Sequence, residues 1–158
     1  MGYRKVLLPV SGKYRLERAT LALEQALQIV RDDGELCFFH CVGEVPYLIA
    51  GEAHKKLVME DAREAEKLLA PLVQRAKDAG ITYRVHIMEG SPAMHIPRFA
   101  TEGQFNAIVM FTGERNDLGE LIGKFVMGSI AERVLHATSI PLLIVRISSS
   151  VSSRSETY

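Results

Sequence analysis

Apolar positions along the chain form five short runs, and amphipathic stretches of helical length separate them. The runs cover residues 6–10, 36–42, 82–88, 105–111 and 140–147. The first run is apolar at every position, which is typical of a strand that is covered on both faces. Strands that alternate with four helical stretches predict an α/β fold, a doubly wound five-stranded parallel sheet with helices on both faces.

Two long helices are predicted from apolar residues at helical spacing. The first covers residues 15–32, and Gly34 provides its stop. Its inner stripe consists of Leu16, Ala19, Leu23, Ala26, Leu27 and Val30. The second covers residues 52–79 with Pro71 inside it, so we expect a kink or break near Leu68. Its inward positions are Leu57, Ala65, Leu68, Leu69, Leu72 and Ala76.

Two shorter helices follow the third and fourth strands. We expect Ser91 to cap the first of them, and Pro97 inside it to distort it. The second starts after Gly128 and ends at His136, where a cationic imidazole suits the helix dipole. The segment GEVPYLIAG, which joins the second strand to the second helix, is unusually apolar at Tyr47, Leu48 and Ile49. Either it folds back on the core or it covers a cleft or a partner.

Length and composition indicate one compact domain over residues 1–147, followed by a flexible serine-rich tail over residues 148–158. Nineteen basic and nineteen acidic residues cancel, so nothing favours a nucleic acid or an anionic membrane as a partner. The chain shows no signal peptide and no apolar stretch of membrane-spanning length, and we expect a cytoplasmic protein. Cys37 and Cys41, four residues apart on one strand, are expected to be reduced core residues.

Several motifs together resemble the universal stress protein family, a branch of the adenine-nucleotide-binding, flavodoxin-like folds. They are KVLLPVSG followed by ERATLALEQAL, the strand end His40-Cys41-Val42, the turn Gly90-Ser91-Pro92-Ala93, the strand AIVM, and MGSIAERVLHATSIPLLIVR. The resemblance implies a sheet of order 3-2-1-4-5 and ATP bound at the carboxyl ends of strands one and four in some members. It also implies homodimers that pair through the fifth strand, here the run from Ile140 to Ile147.

The expected ligand site lies where the sheet order reverses, because ligands of doubly wound folds settle outside the carboxyl ends of the strands at that point. The candidate nucleotide-binding residues are Val10, Ser11, Gly12, Val42, Thr112, Gly113, Gly128, Ser129 and Ile130. The helix after Gly128 directs its free amides and its positive dipole end at this crevice, which favours phosphate. Ser129 and Glu132 also form a capping box, so the same residues are explained by helix stability alone.

Three departures from the family pattern count against ATP. Ser11 stands where nucleotide-binding members carry an aspartate that reaches the nucleoside. If the fourth strand is aligned without gaps, Phe111 and Glu114 replace the two glycines of the phosphate loop; if Gly113 is the first glycine, Asn116 replaces the second. The loop that leads to Gly128 is also longer than the family's. These differences predict either no cofactor or a weakly held ATP or AMP.

Other chemistry is poorly supported. Gly119 to Lys124 looks briefly like a P-loop, but it is one residue short and Phe125 replaces the hydroxyl that binds magnesium. The five histidines have no metal-site spacing, and no catalytic residue stands out. We expect a dimeric cytoplasmic regulatory module with weak or no ATP binding. The alternatives are a true ATP- or AMP-binding member with slow hydrolysis, and a nucleotide-independent interaction module.

Overall fold

A computed structural model describes residues 2–10, 16–43, 48–111 and 129–146 of the chain. Strands and helices alternate along these residues from end to end. The strands are β1 (Tyr3–Pro9), β2 (Val30–Val42), β3 (Thr82–Glu89), β4 (Ala107–Phe111) and β5 (Leu142–Val145). The helices are α1 (Leu16–Ile29), α2 (Gly51–Asp78), α3 (Pro92–Glu102) and α4 (Ser129–Ala137). The predicted tail over residues 148–158 lies outside the described residues.

The strands form one sheet of order β3-β2-β1-β4-β5, and every described pairing is parallel. This confirms both the doubly wound sheet and the strand order that the family resemblance implies. β1 lies at the centre, with β2 on one side and β4 on the other, so the direction of winding reverses at β1. No helix within the described residues is long and apolar enough to cross a membrane.

Alternation along the central strands builds a core on each side of the sheet. Leu8 and Phe38 pack on the side covered by α1 and α2. The adjacent residues Leu7 in β1 and Phe39 in β2 pack on the opposite side. On that second side the cover comes from α3 and α4, which contribute Ile96 and Ala100 from α3 and Ala131 and Val134 from α4. Both faces are buried, as the unbroken apolar strand sequence predicts.

The first helix ends earlier than its periodicity predicts. α1 stops at Ile29, and β2 begins directly at Val30, which pairs with Tyr3 of β1. The prediction that Gly34 closes the helix is therefore wrong, because Gly34 lies inside β2. Between the pairs Tyr3–Val30 and Lys5–Glu35 the register shifts, since two steps on β1 span five on β2. Val30 is buried as predicted, but it lies in a strand and not in the helix whose spacing it also fits.

Neither internal proline ends its helix. α2 continues without interruption past Leu68 and Pro71, so the prediction of a break is wrong. The Pro71 side chain faces solvent. α3 likewise continues past Pro97, whose side chain is buried in the core. Each proline removes one backbone donor, and the buried neighbours of each, Leu69 and Leu72 in α2 and Ile96 and Ala100 in α3, supply the packing that keeps the helix intact. Ser91 occupies the cap position of α3 as predicted, but its hydroxyl makes no capping hydrogen bond.

The long helix α2 packs against the sheet only along its second half. Ala65, Leu69, Leu72 and Ala76 are buried, whereas no side chain of residues 51–64 is. The inward placement predicted for Leu57 is wrong, since this side chain is exposed. Toward its first turn α2 contacts the sheet through His54, whose Nε2 lies 3.0 Å from Glu89 Oε1 at the end of β3.

Candidate functional site

The described ladder between β1 and β4 ends before the carboxyl ends of these two strands. The ladder between β1 and β2 continues to the pair Pro9–Phe39. On the other side of β1 the described ladder to β4 ends two residues earlier, at Leu7–Ile108. β4 itself stays paired with β5 as far as Phe111–Val145. The described hydrogen-bond ladder between the two central strands therefore ends at Leu7, on the edge of the sheet where doubly wound folds bind ligands.

Pro9 explains why this ladder stops. Backbone groups of alternate residues in a strand point to the same neighbour. The Val10 amide donates to Phe39 O on β2 at 2.7 Å, so the backbone of Pro9 faces β4. The same alternation follows from Lys5, whose carbonyl accepts from the Asn106 amide at 2.8 Å. The next bond of the ladder would need an N–H at residue 9, and proline has none.

A buried histidine fixes the other side of the same strand end. His40 is the buried polar side chain of the described core, and its Nδ1 lies 2.6 Å from the carbonyl oxygen of Val10. Because a carbonyl oxygen only accepts, Nδ1 carries the proton in this contact. Both backbone groups of Val10 are thus bonded to β2, one to Phe39 O and one to His40.

Val42 ends β2 along the same edge of the sheet. Its side chain is buried, and its carbonyl oxygen accepts a hydrogen bond from the Gly90 amide at 3.1 Å. Gly90 has a φ of +129°, a conformation that favours glycine, and it packs against the ring of His95. The end of β2 is therefore held by the turn that follows β3.

Phe111 marks the boundary between β4 and the loop that follows it. Its side chain is buried in the core on the α1 and α2 side, and its backbone pairs with Val145. Phe111 therefore belongs to the sheet rather than to a phosphate loop, which favours the alignment that takes Gly113 as the first loop glycine. Thr112, Gly113, Glu114 and Asn116 lie outside the described residues.

The helix expected to face a phosphate begins at Ser129, as predicted. In a parallel β–α–β unit the helix runs back from the carboxyl edge of the sheet, so the first turn of α4 lies on the same edge as Val10 and Val42. Ile130 is half-buried against the core on the α3 side, and Ala131 is buried. Gly128 and the Ser129 side chain lie outside the described part of the chain, so the capping box of Ser129 and Glu132 stays a prediction.

Comparison with known proteins identifies the family. The sequence model of the universal stress protein family matches residues 2–146. The chain belongs to this family. A universal stress protein of Methanothermobacter thermautotrophicus is 27% identical over 149 residues, which span 91% of this chain and 96% of that protein.

Two solved structures of universal stress proteins share the fold. One, in complex with cAMP, has a TM-score of 0.62 at 20% identity and covers 92% of this chain and 98% of its own. The other, from Arabidopsis thaliana with AMP bound, has a TM-score of 0.60 at 15% identity and covers 95% of this chain and 97% of its own. At these identities the likeness concerns the fold of the universal stress protein domain.

Of the nucleotide-binding residues predicted for this universal stress protein, Val10, Val42, Ser129 and Ile130 fall within the described residues. Val10 directly follows β1 and Val42 ends the neighbouring β2, and Ser129 and Ile130 lie in the first turn of α4. Ser11 and Gly12, like Thr112, Gly113 and Gly128, lie outside the described residues. Sequence reasoning missed Pro9 and understated His40, although a proline inside an apolar strand and a histidine near a strand end were the available signals.

The cysteines of this universal stress protein are free, as predicted. Burial raises the pKa of the Cys37 thiol to about 11, and the neighbouring Glu35 carboxylate adds to this effect. Burial also raises the pKa of Cys41 to about 11. Neither thiol is therefore an activated nucleophile near neutral pH. Within the described part of the chain no three His, Cys, Asp or Glu side chains converge on a possible metal site.

Proposed function

We propose that this universal stress protein is a regulatory module whose crevice holds an adenosine monophosphate weakly and ATP more weakly or not at all. The end of the β1–β4 ladder at Leu7 carries this proposal, because it falls where the winding of the sheet reverses, the place where doubly wound folds bind ligands. Val10 directly follows β1 and Val42 ends β2 on this edge of the sheet, and the start of α4 lies on the same edge. We place this activity in the cytoplasm and assign the protein no catalytic role.

A monophosphate suits the residues better than a triphosphate does. The departures from the family pattern fall on Ser11 and on the loop from Thr112 to Gly128, which in nucleotide-binding members contacts the nucleoside and the phosphates. Serine is an uncharged and weaker partner for the ribose than aspartate. A ligand with one phosphate group needs fewer loop contacts, and the first turn of α4 offers amide donors and a positive dipole end to it. The structurally similar proteins with cAMP and with AMP support the same ligand class.

Isothermal titration of nucleotide-stripped protein with AMP, cAMP and ATP tests this proposal. We expect dissociation constants in the high micromolar to millimolar range for the monophosphates, and weaker binding of ATP, on the order of at least threefold. A Gly128→Val variant should lose the monophosphate, because the added side chain crowds the start of α4. Micromolar ATP binding that Gly128→Val abolishes would instead establish the ATP-binding alternative.

We also propose that the protein forms a homodimer through its fifth strand. β5 is an edge of the described sheet, paired with β4 on one side, and its backbone is a ready template for a second strand. Leu143 on β5 is a partly exposed apolar side chain on this edge strand. A second copy of the chain that pairs along β5 would cover it.

A protein-interaction role is the second candidate function, and Leu48 favours it. This side chain is 82% exposed, so at Leu48 the segment does not fold back on the core. Ile49 is half-buried, and Tyr47 lies outside the described residues. Deletion of residues 47–49, followed by capture of partners from cell extract, tests this role: an unchanged set of partners would reject it.

A further inference from the structure

The carboxyl end of β1 is hydrogen-bonded to β2, whereas its described ladder to β4 has already ended. On the β2 side, Val10 makes two backbone contacts, an amide donation to Phe39 O at 2.7 Å and acceptance from His40 Nδ1 at 2.6 Å. On the β4 side, the ladder ends at Leu7–Ile108, and the backbone of Pro9 points toward β4 without a donor. This difference in hydrogen bonding arises at two consecutive residues, Pro9 and Val10, where the winding of the sheet reverses.

We infer that His40 and Pro9 are positioning residues for the nucleotide. His40 holds Val10, the last described residue before the β1–α1 connection, against β2. Pro9 denies the same strand end its next hydrogen bond to β4, and in our proposal this keeps the space between the two strands accessible to the ligand. Neither residue is assigned a contact with the ligand. The inference rests on the proposed function, since it assumes that the crevice takes a nucleotide.

The chemistry of His40 is specific to this task. A buried carbonyl oxygen that loses its donor carries a desolvation cost, so the Val10 carbonyl needs a partner at this position. The imidazole reaches it from the next strand with Nδ1, and the side-chain amide of asparagine can present its NH2 group at nearly the same place. Leucine has a similar volume and no donor. The pair His40→Asn and His40→Leu therefore separates the hydrogen bond from the packing.

Pro9 allows a test that dissociates stability from binding. A Pro9→Val variant regains the missing amide, and a β-branched residue suits a strand. We expect the β1–β4 ladder to extend by one bond toward Val109, with stability unchanged or higher. The crevice narrows as the strands pair, so nucleotide affinity falls. If Pro9 had a purely structural role, the variant would not combine unchanged or higher stability with a lower nucleotide affinity.

The experiment measures AMP affinity by fluorescence titration and unfolding free energy by urea for wild type and four variants. We expect His40→Leu and Pro9→Val to raise the dissociation constant about tenfold, as expected when the competent arrangement is populated about a tenth of the time. His40→Asn should retain affinity near wild type. Leu36→Ala, a fully buried position in the same strand but away from the crevice, should lose stability and keep its affinity. Equal losses of affinity in Leu36→Ala and His40→Leu would overturn the inference.

Amide hydrogen exchange gives a readout that needs no nucleotide. In His40→Leu the Val10 amide should exchange about tenfold faster than in wild type, and in His40→Asn it should not. In Pro9→Val the new amide at residue 9 should be protected. If the wild-type protein binds no AMP, the proposed function fails. The exchange data still test whether His40 and Pro9 hold the carboxyl end of β1 in place. Unchanged exchange at Val10 in His40→Leu, or an unprotected amide at residue 9, overturns the inference.

Discussion

Gly34 of β2 lies directly against the backbone of Arg4 in β1. A Cβ at Gly34 would be 2.8 Å from the Arg4 carbonyl oxygen, closer than a carbon atom approaches an oxygen without displacement. This contact occurs where the register between the two strands shifts, between the pairs Tyr3–Val30 and Lys5–Glu35. The close approach of two backbones, rather than the end of a helix, is the reason for glycine at this position.

A Gly34→Ala substitution should lower the free energy of unfolding by about 1–3 kcal/mol, because either the methyl group or β1 must move. Urea unfolding followed by circular dichroism measures the change. Gly43→Ala is the matched control, since a Cβ there meets nothing within 4 Å, and its stability should stay within about 0.5 kcal/mol of wild type. Equal effects at both positions would contradict this account.

Gly90→Ala should destabilise the protein for two separable reasons. The residue has a φ of +129°, which costs an L-residue on the order of 1–3 kcal/mol, and the new methyl group would overlap the His95 ring. The double variant Gly90→Ala/His95→Ala removes the overlap and keeps the backbone strain. Thermal unfolding of both variants and of His95→Ala should show partial recovery in the double variant. Full recovery would mean that the φ of Gly90 carries no cost.

The cysteines should make stability depend on pH in the alkaline range. Their thiols have a pKa near 9.0 in the unfolded chain and about 11 in the folded protein, chiefly because of burial. Below pH 9 both states hold these protons and the contribution is constant. As the pH rises from about 9 to about 11 the unfolded state loses them first, so the free energy of unfolding falls. Urea unfolding from pH 7.5 to 10.5 should show a flatter decline for Cys37→Ala/Cys41→Ala than for wild type, and parallel curves would refute this.

A charge on β5 should abolish the proposed dimer. Leu143→Lys places a buried, like-charged pair near a two-fold contact along the edge strand, and we expect a monomer by size-exclusion chromatography with light scattering. Leu21→Lys on α1 changes a leucine that is at least as exposed but lies on a helix, and it should leave the dimer intact. A wild type that is monomeric at high concentration would reject the dimer.

Most of the fold follows from the sequence because its strongest signals are periodic. Five apolar runs that alternate with helical stripes predict the layers of the fold, and each predicted run overlaps a strand of the structure. The error at residues 30–34 arises because Val30 fits both a helical stripe and a strand, and only its partner Tyr3 decides between them. The break expected near Leu68 fails for a related reason, since tertiary packing outweighs the one backbone bond that Pro71 removes.

The site is less predictable than the fold because its geometry depends on directions that a sequence does not display. Val10 and Val42 are recognisable as strand ends. The orientation of the Pro9 backbone toward β4 becomes evident only from the bond between Val10 and Phe39, and the partner of His40 lies thirty residues away. The end of β4 at Phe111 is likewise evident only from the pairing of Phe111 with Val145, and a sequence alignment of the following loop does not reveal that pairing.

The uneven packing of α2 divides one continuous helix into a fixed part and a separable part. Its second half is anchored by Leu69 and Leu72, while residues 51–64 bury no side chain. The first turns can therefore unwind without uncovering the core, at a local free energy to which the His54–Glu89 contact contributes. Proteolysis or docking at this end thus works against a local opening energy, and the stability of the whole sheet does not protect it.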